Sequence, residues 1–118
     1  MPDADESDDD LPVVCVFGSV NVDHAFRCAR ALPRAGETVG DAWYERAPGG
    51  KGANQACAAA RTASDDDRRG VRVEFVGCVG ADDDDYSLAA LRDAGVGTER
   101  VRKCEDGATG TACVLVDA

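Results

Sequence analysis

Two apolar, β-branched runs constrain this chain more than any other feature. "PVVCVFG" (12–18) and "VRVEFVGCVG" (71–80) each end in glycine. The first is continuous, the mark of a strand buried on both faces, and the second reads as another central strand. Between them lies "GGKGANQACAAAR" (49–61). Its small residues Ala53, Cys57 and Ala60 recur at helical spacing and let a helix approach a sheet closely. A helix is expected over about 50–63. Strands alternating with helices in this way predict an α/β chain with a mostly parallel central sheet.

A hairpin interrupts the alternation. In "NVDHAFRCAR" (21–30) Val22, His24, Phe26 and Cys28 share one parity and Asp23 takes the other, which suits a strand with one wet face. "LPRAGET" (32–38) is a turn by its proline and glycine, and "VGDAWYERA" (39–47) returns beside the first strand. Further on, "DDDDYSLAALRDAGV" (82–96) reads as a helix with acids in its first turn, favourable to the macrodipole. Leu88, Leu91 and Ala94 form its apolar face and Gly95 stops it. Extended pieces are expected at 98–104 and 111–117, the latter able to join the central sheet. Residues 1–11 read as a disordered acidic tail, and 64–70 as a solvated loop.

Charge narrows the partners. The 118 residues carry a formal net charge of −10, and Lys51 and Lys103 are the only lysines. Aspartate runs recur at Asp8–Asp10, Asp65–Asp67 and Asp82–Asp85. A heavily hydrated acidic surface keeps a protein soluble in strong salt, where ordinary repulsion is screened. The chain therefore reads as a halophile's cytoplasmic protein; the other reading is an acidic protein with a disordered tail. Neither suits nucleic acid, which wants a basic face. No apolar run nears the ~18–20 residues that span a membrane, and the acidic start is unlike a secretory signal. The six cysteines form no C-x-x-C pair and are expected as small buried hydrophobes in a reducing cytosol, not as zinc ligands.

Several chemistries fail on spacing. A P-loop needs G-x-x-x-x-G-K-S/T, yet Gly52 follows Lys51 and Glu45 stands where the first glycine belongs. "FGSVNVD" and "VGCVGAD" both lack the dinucleotide fingerprint G-x-G-x-x-G. His24 is the only histidine, so neither a histidine-based metal set nor a Ser-His-Asp triad can be built. Asp82–Asp85 read as capping and solvation rather than as a cation site. No metal site is expected.

A polar constellation remains. Asn21 and Asp23 follow the first strand two residues apart, so their side chains share a face. Gly49 and Gly50 open the helix with backbone N–H groups and the positive dipole end free. Lys51 and Asn54 share a face of its first turn. Together these groups offer one carboxylate, two amides, an ammonium and bare donors, which suits a polyhydroxyl compound. Nothing in the set is an obvious nucleophile. Plain turn chemistry at both places is the competing reading.

At these residues the sequence resembles a known family. "GSVNVDH", "PRAGETV" and above all "GGKGANQACAAAR" are similar to the ribokinase (PfkB) family of carbohydrate kinases, with "GSVNVDH" closest to the ribokinase branch. "VEFVGCVGADD" and "TGTACVLVD" fall where that family has them. The resemblance implies a doubly wound α/β sandwich with a small β-sheet lid, of which 12–118 would be the N-terminal portion. Lid strands would lie at about 21–47 and 111–117. It implies that Asn21 and Asp23 bind sugar hydroxyls and that Gly49, Gly50, Lys51 and Asn54 line the same pocket. It further implies transfer of the ATP γ-phosphoryl group to a sugar's primary hydroxyl, ribose above all, with Mg²⁺ as a cofactor and the lid closing to exclude water.

One departure matters. The family's second signature, D-T-x-G-A-G-D, supplies the general base and the anion hole, and "DGATGTA" is not that motif. No catalytic residue is therefore assigned. The expectation is a sugar-binding part without the catalytic base and with little of the ATP site, inactive alone. Partners expected are the sugar, a C-terminal half, and a second copy through the lid; the alternative is a non-catalytic sugar-binding or interaction remnant. A third of a parallel sheet should also leave an open edge and uncovered apolar surface.

Overall fold

The computed structural model describes residues 11–64 and 70–118. Nearly all of the tail and loop expected at 1–11 and 64–70 lies outside the described residues. Among the described residues six strands and two α-helices follow in chain order: β1 (Val13–Phe17), β2 (Asn21–Cys28), β3 (Ala42–Gly49), α1 (Lys51–Ser64), β4 (Arg72–Gly80), α2 (Tyr86–Asp93), β5 (Val96–Cys104) and β6 (Gly110–Val116). They form two three-stranded sheets. The central sheet runs β1-β4-β5 with all pairs parallel. The second runs β3-β2-β6, antiparallel in the hairpin and parallel between β2 and β6. β6 thus joins the second sheet and not the central one, where β5 supplies the third strand.

Both helices cover one face of the central sheet. Val73, Phe75 and Val79 share a parity of β4 and pack with Ala53, Ala56 and Ala60 of α1, Leu91 of α2, Val96 and Val20. Phe75 and Ala56 are fully buried. Burying a side chain of Phe or Leu size contributes about 1.5–3 kcal/mol, so this single layer carries most of the hydrophobic stabilisation. Ala56 belongs to the small-residue stripe although the spacing rule did not single it out. The close approach is visible at Gly52, where an added Cβ would lie 2.7 Å from the Gly18 Cα.

The other face is open. Register places Val13, Cys15 and Phe17 on the side away from the helices, beside Arg72, Glu74 and Val76. Phe17 is 83% exposed. The expectation that 12–18 is buried on both faces is therefore corrected: β1 is an edge strand of this sheet, and no described element covers its outer side. The expected open edge is present.

Two further readings are corrected. Acids were expected in the first turn of the second helix, but Ala81–Asp83 form a 3-10 turn and α2 starts at Tyr86. Asp84 and Asp85 take left-handed backbone (φ 44° and 66°), which aspartate tolerates better than most residues and which breaks the helix from the turn. Asp83 still acts as a cap: its buried carboxylate accepts the Ser87 N–H at 3.2 Å. Nor are the cysteines uniformly buried. Cys28 is buried and Cys57 half-buried, whereas Cys15 and Cys113 are exposed and Cys78 is bonded to Cys104. The open face explains Cys15, because an apolar run buries only what another element covers.

Candidate functional site

The register of the hairpin assembles the site. Asn21 pairs with Gly49 and Asp23 with Ala47, so the start of β2 lies against the end of β3 just before α1 begins. A Cβ on Gly49 would overlap the Asp23 carboxylate. Glycine at 49 thus lets that carboxylate lie flat over the main chain. Gly50 turns the chain with φ of 102°, and a Cβ there would meet the Ser19 carbonyl at 2.6 Å and the Asn21 nitrogen at 2.9 Å. The sequence predicted glycines for an open helix start; the structure adds that Gly50 is closed to a side chain by backbone, whereas a side chain at 49 would displace the Asp23 carboxylate.

α1 then carries Lys51 and Asn54 outward, both exposed. The Asn54 N–H bonds the Gly50 carbonyl at 2.9 Å and opens the helical ladder. The Ala53 N–H is taken by the Ser19 carbonyl at 3.1 Å. The expectation of free donors is corrected at that one position; among the described residues no hydrogen bond takes the N–H of Lys51 or Gly52. A cavity of about 290 Å³ lies on the helix side of this turn, lined by Gly49, Asn54, Val20, Ser87 and Leu91 among others. Asn21, Asp23, Gly49 and Gly50 are therefore brought together, with Lys51 and Asn54 following on the adjoining helix turn.

The third lid strand adds neighbours that sequence reasoning did not assign. β6 pairs Gly110 with Asn21, Ala112 with Asp23 and Val114 with Ala25. Ala112 and Val114 share the Asp23 face of the lid. An added Cβ on Gly110 would lie 2.5 Å from the Asn21 Oδ1, so this glycine gives the Asn21 side chain its room. The only sequence signal was the glycine in "TGTACVLVD".

A polar clasp fixes the root of β6. Asp82 accepts the Thr109 N–H at 2.8 Å and the Thr109 hydroxyl at 3.1 Å, while that hydroxyl accepts the Gly80 N–H at 2.9 Å. The Thr109 N–H, the Thr109 hydroxyl and more weakly Arg46 hold the Asp82 carboxyl below its ordinary value of 3.8, against partial desolvation. A carboxyl depressed in the folded state stabilises the fold fully above its unfolded value, and the contribution is lost as pH falls through the lower folded value. Asp82→Asn is expected to lower the thermal midpoint near neutral pH. It should also flatten the loss of stability below pH 3.8, read by circular dichroism melts across that span. The lid is pinned at a second point, where Arg46 of β3 stacks 4.0 Å over the Tyr86 ring of α2. On the same face of the lid as Arg46, opposite to Asp23, His24 Nδ1 and the Tyr44 hydroxyl share a hydrogen bond of 2.8 Å.

A parallel sheet with helices on one face is joined to a second three-stranded sheet, and Asn21, Asp23, Gly49, Gly50, Lys51 and Asn54 lie near the junction. The chain belongs to the pfkB family of carbohydrate kinases, whose family model matches residues 12–118. It is 38% identical over 109 residues to the ribokinase of Schizosaccharomyces pombe, covering 88% of this chain and 32% of that protein. Among solved structures it resembles the ribokinase of Cryptococcus neoformans var. grubii in complex with ADP, with a TM-score of 0.73, 37% identity and coverage of 92% of this chain and 32% of that one. It also resembles the Arabidopsis thaliana ribokinase complexed with ribose and ATP, with a TM-score of 0.66, 34% identity and coverage of 91% and 32%. The chain thus spans about a third of the length of these relatives. No described helix is long and apolar enough to cross a membrane.

Proposed function

We propose that this chain supplies the sugar-recognition part of a ribokinase-type kinase, with ribose as the acceptor. The observation that carries the reading is the Asp23 carboxylate lying over Gly49, beside Asn21 and the first turn of α1. In this reading Asp23 accepts hydrogen bonds from sugar hydroxyls and Asn21 and Asn54 donate and accept at their neighbours. The Lys51 ammonium and the free N–H groups at the helix start add donors. The lid carries Asp23 and Ala112 on one face and excludes water once a sugar is seated.

ATP and Mg²⁺ are the co-substrate and metal of the proposed reaction. Complexes of relatives with ADP, and with ribose and ATP, support the nucleotide. The motif D-T-x-G-A-G-D, which carries the general base and anion hole, does not occur among these 118 residues. Phosphoryl transfer depends on that positioning and electrostatic stabilisation. The 118-residue chain alone is therefore expected to show no ribose-dependent consumption of ATP. Joined to or co-expressed with the C-terminal two thirds of a family kinase, it should turn over. Turnover by the chain alone would overturn the division of labour; none from a folded assembly would overturn the kinase reading.

The same reading places the protein in the cytoplasm of a salt-adapted cell, supported by the net charge of −10. A lid-to-lid homodimer fits too, because Trp43 and Val114 stand exposed on the lid.

A further inference from the structure

We infer that the Cys78–Cys104 pair is a site of thiol–disulfide exchange with an anionic low-molecular-weight disulfide. The inference is independent of the sugar site. Cys78 and Cys104 lie on the neighbouring parallel strands β4 and β5, with Cα atoms 6.6 Å apart, within the ordinary range for a bridge. Both residues are exposed, so the bond faces solvent rather than the core.

Two observations name the partner's charge. Cys78 borders a hollow of about 560 Å³ on the open face, lined by Phe17, Val76, Gly77, Arg100 and Arg102. Arg102 is the in-register neighbour of Cys78, and it makes no ion pair among the described residues. Arg100 bonds Glu74 at 2.7 Å and frames the far side. In a chain of net charge −10 this is a local concentration of cations. Exposed Cys15 offers the contrast: its in-register neighbour is Glu74, which engages both Arg72 and Arg100, so the guanidiniums nearest that sulfur are already paired. A guanidinium beside a sulfur draws such a reagent in and stabilises the thiolate formed when the bond opens.

The exchange balances as follows. The Cys78 thiolate attacks one sulfur of the small disulfide, whose S–S bond breaks and releases one thiolate. The Cys104 thiolate then attacks the Cys78 sulfur of the mixed disulfide and expels the second. Two electrons pass from the protein thiols to the small disulfide, which leaves as two thiols once protonated. Run backwards, reduction releases the covalent tie where β5 crosses toward the lid strand β6. The Asp82–Thr109 hydrogen bonds are left to hold the root of that strand.

The test uses oxidised glutathione as the anionic probe and 2-hydroxyethyl disulfide as the neutral one. The chain is reduced first. It is held at the lowest salt at which circular dichroism shows it folded, and its cysteines are mapped by alkylation and mass spectrometry. Cys104→Ser should accumulate a glutathione adduct on Cys78 at least about fivefold faster than on Cys15 or Cys113. Arg102→Gln should slow that step about fivefold with glutathione and leave the neutral probe unchanged, while Arg102→Lys keeps the rate. Equal labelling of all exposed cysteines, or equal slowing with both probes, would overturn the inference. So would a wild-type bond that stays closed in excess reduced glutathione.

Discussion

Asp23→Ala is expected to abolish ribose binding by the completed kinase while leaving its fold intact. The carboxylate is half-buried over Gly49 and contributes nothing to the hydrophobic layer. Hydrogen bonds to a charged group contribute about 1.5–3 kcal/mol each. A carboxylate holding two sugar hydroxyls is therefore worth about 3 kcal/mol or more, roughly a hundredfold or more in affinity. Calorimetric titration with ribose reads the loss, and thermal melting reads the fold. Unchanged affinity would remove Asp23 from the site. A collapsed melt would show that its role is structural.

Gly50→Ala carries the largest expected effect on stability. The residue holds φ at 102°, where side chains are rarely tolerated, and its Cβ would face only backbone: the Ser19 carbonyl, the Asn21 nitrogen and the Val20 Cα, all within 2.9 Å. None of these can rotate away. Strain at such a position costs roughly 1–3 kcal/mol before the clash is counted. The midpoint should fall by about 10 °C or more for a domain of this size. Gly40→Ala is the control, because its φ is ordinary and nothing lies within 4 Å of the added carbon. Equal melts for the two variants would mean that the turn at Gly50 is not the hinge on which β3 passes into α1.

Much of this geometry was legible in the sequence. The helix start at Gly49–Asn54 and the parity that separates Asp23 from His24 follow from local rules, and the structure keeps both. The hairpin return of 39–47 was readable for the same reason: a turn marked by proline and glycine sits between the alternating stretch 21–30 and a second strand-like stretch. Long-range placement was not. Nothing in "DDDD" marks Asp82 as the partner of Thr109, 27 residues away. The bond between Cys78 and Cys104 depends on β4 and β5 being neighbours, which periodicity alone does not state. The exposure of β1 was misread because an apolar run reports what a strand can bury. Whether it does depends on the elements that cover it.

The reading rests on where ribose touches these 118 residues. A nitrogen–proton NMR titration of the isolated chain with ribose measures that directly, and it tolerates the weak affinity expected of a partial pocket. Shifts are expected to gather at Asn21, Asp23, Gly49–Asn54 and the facing Ala112, and to vanish in Asp23→Ala. Shifts confined to other surfaces, or none up to high ribose concentration, would contradict the sugar-recognition role assigned to this chain.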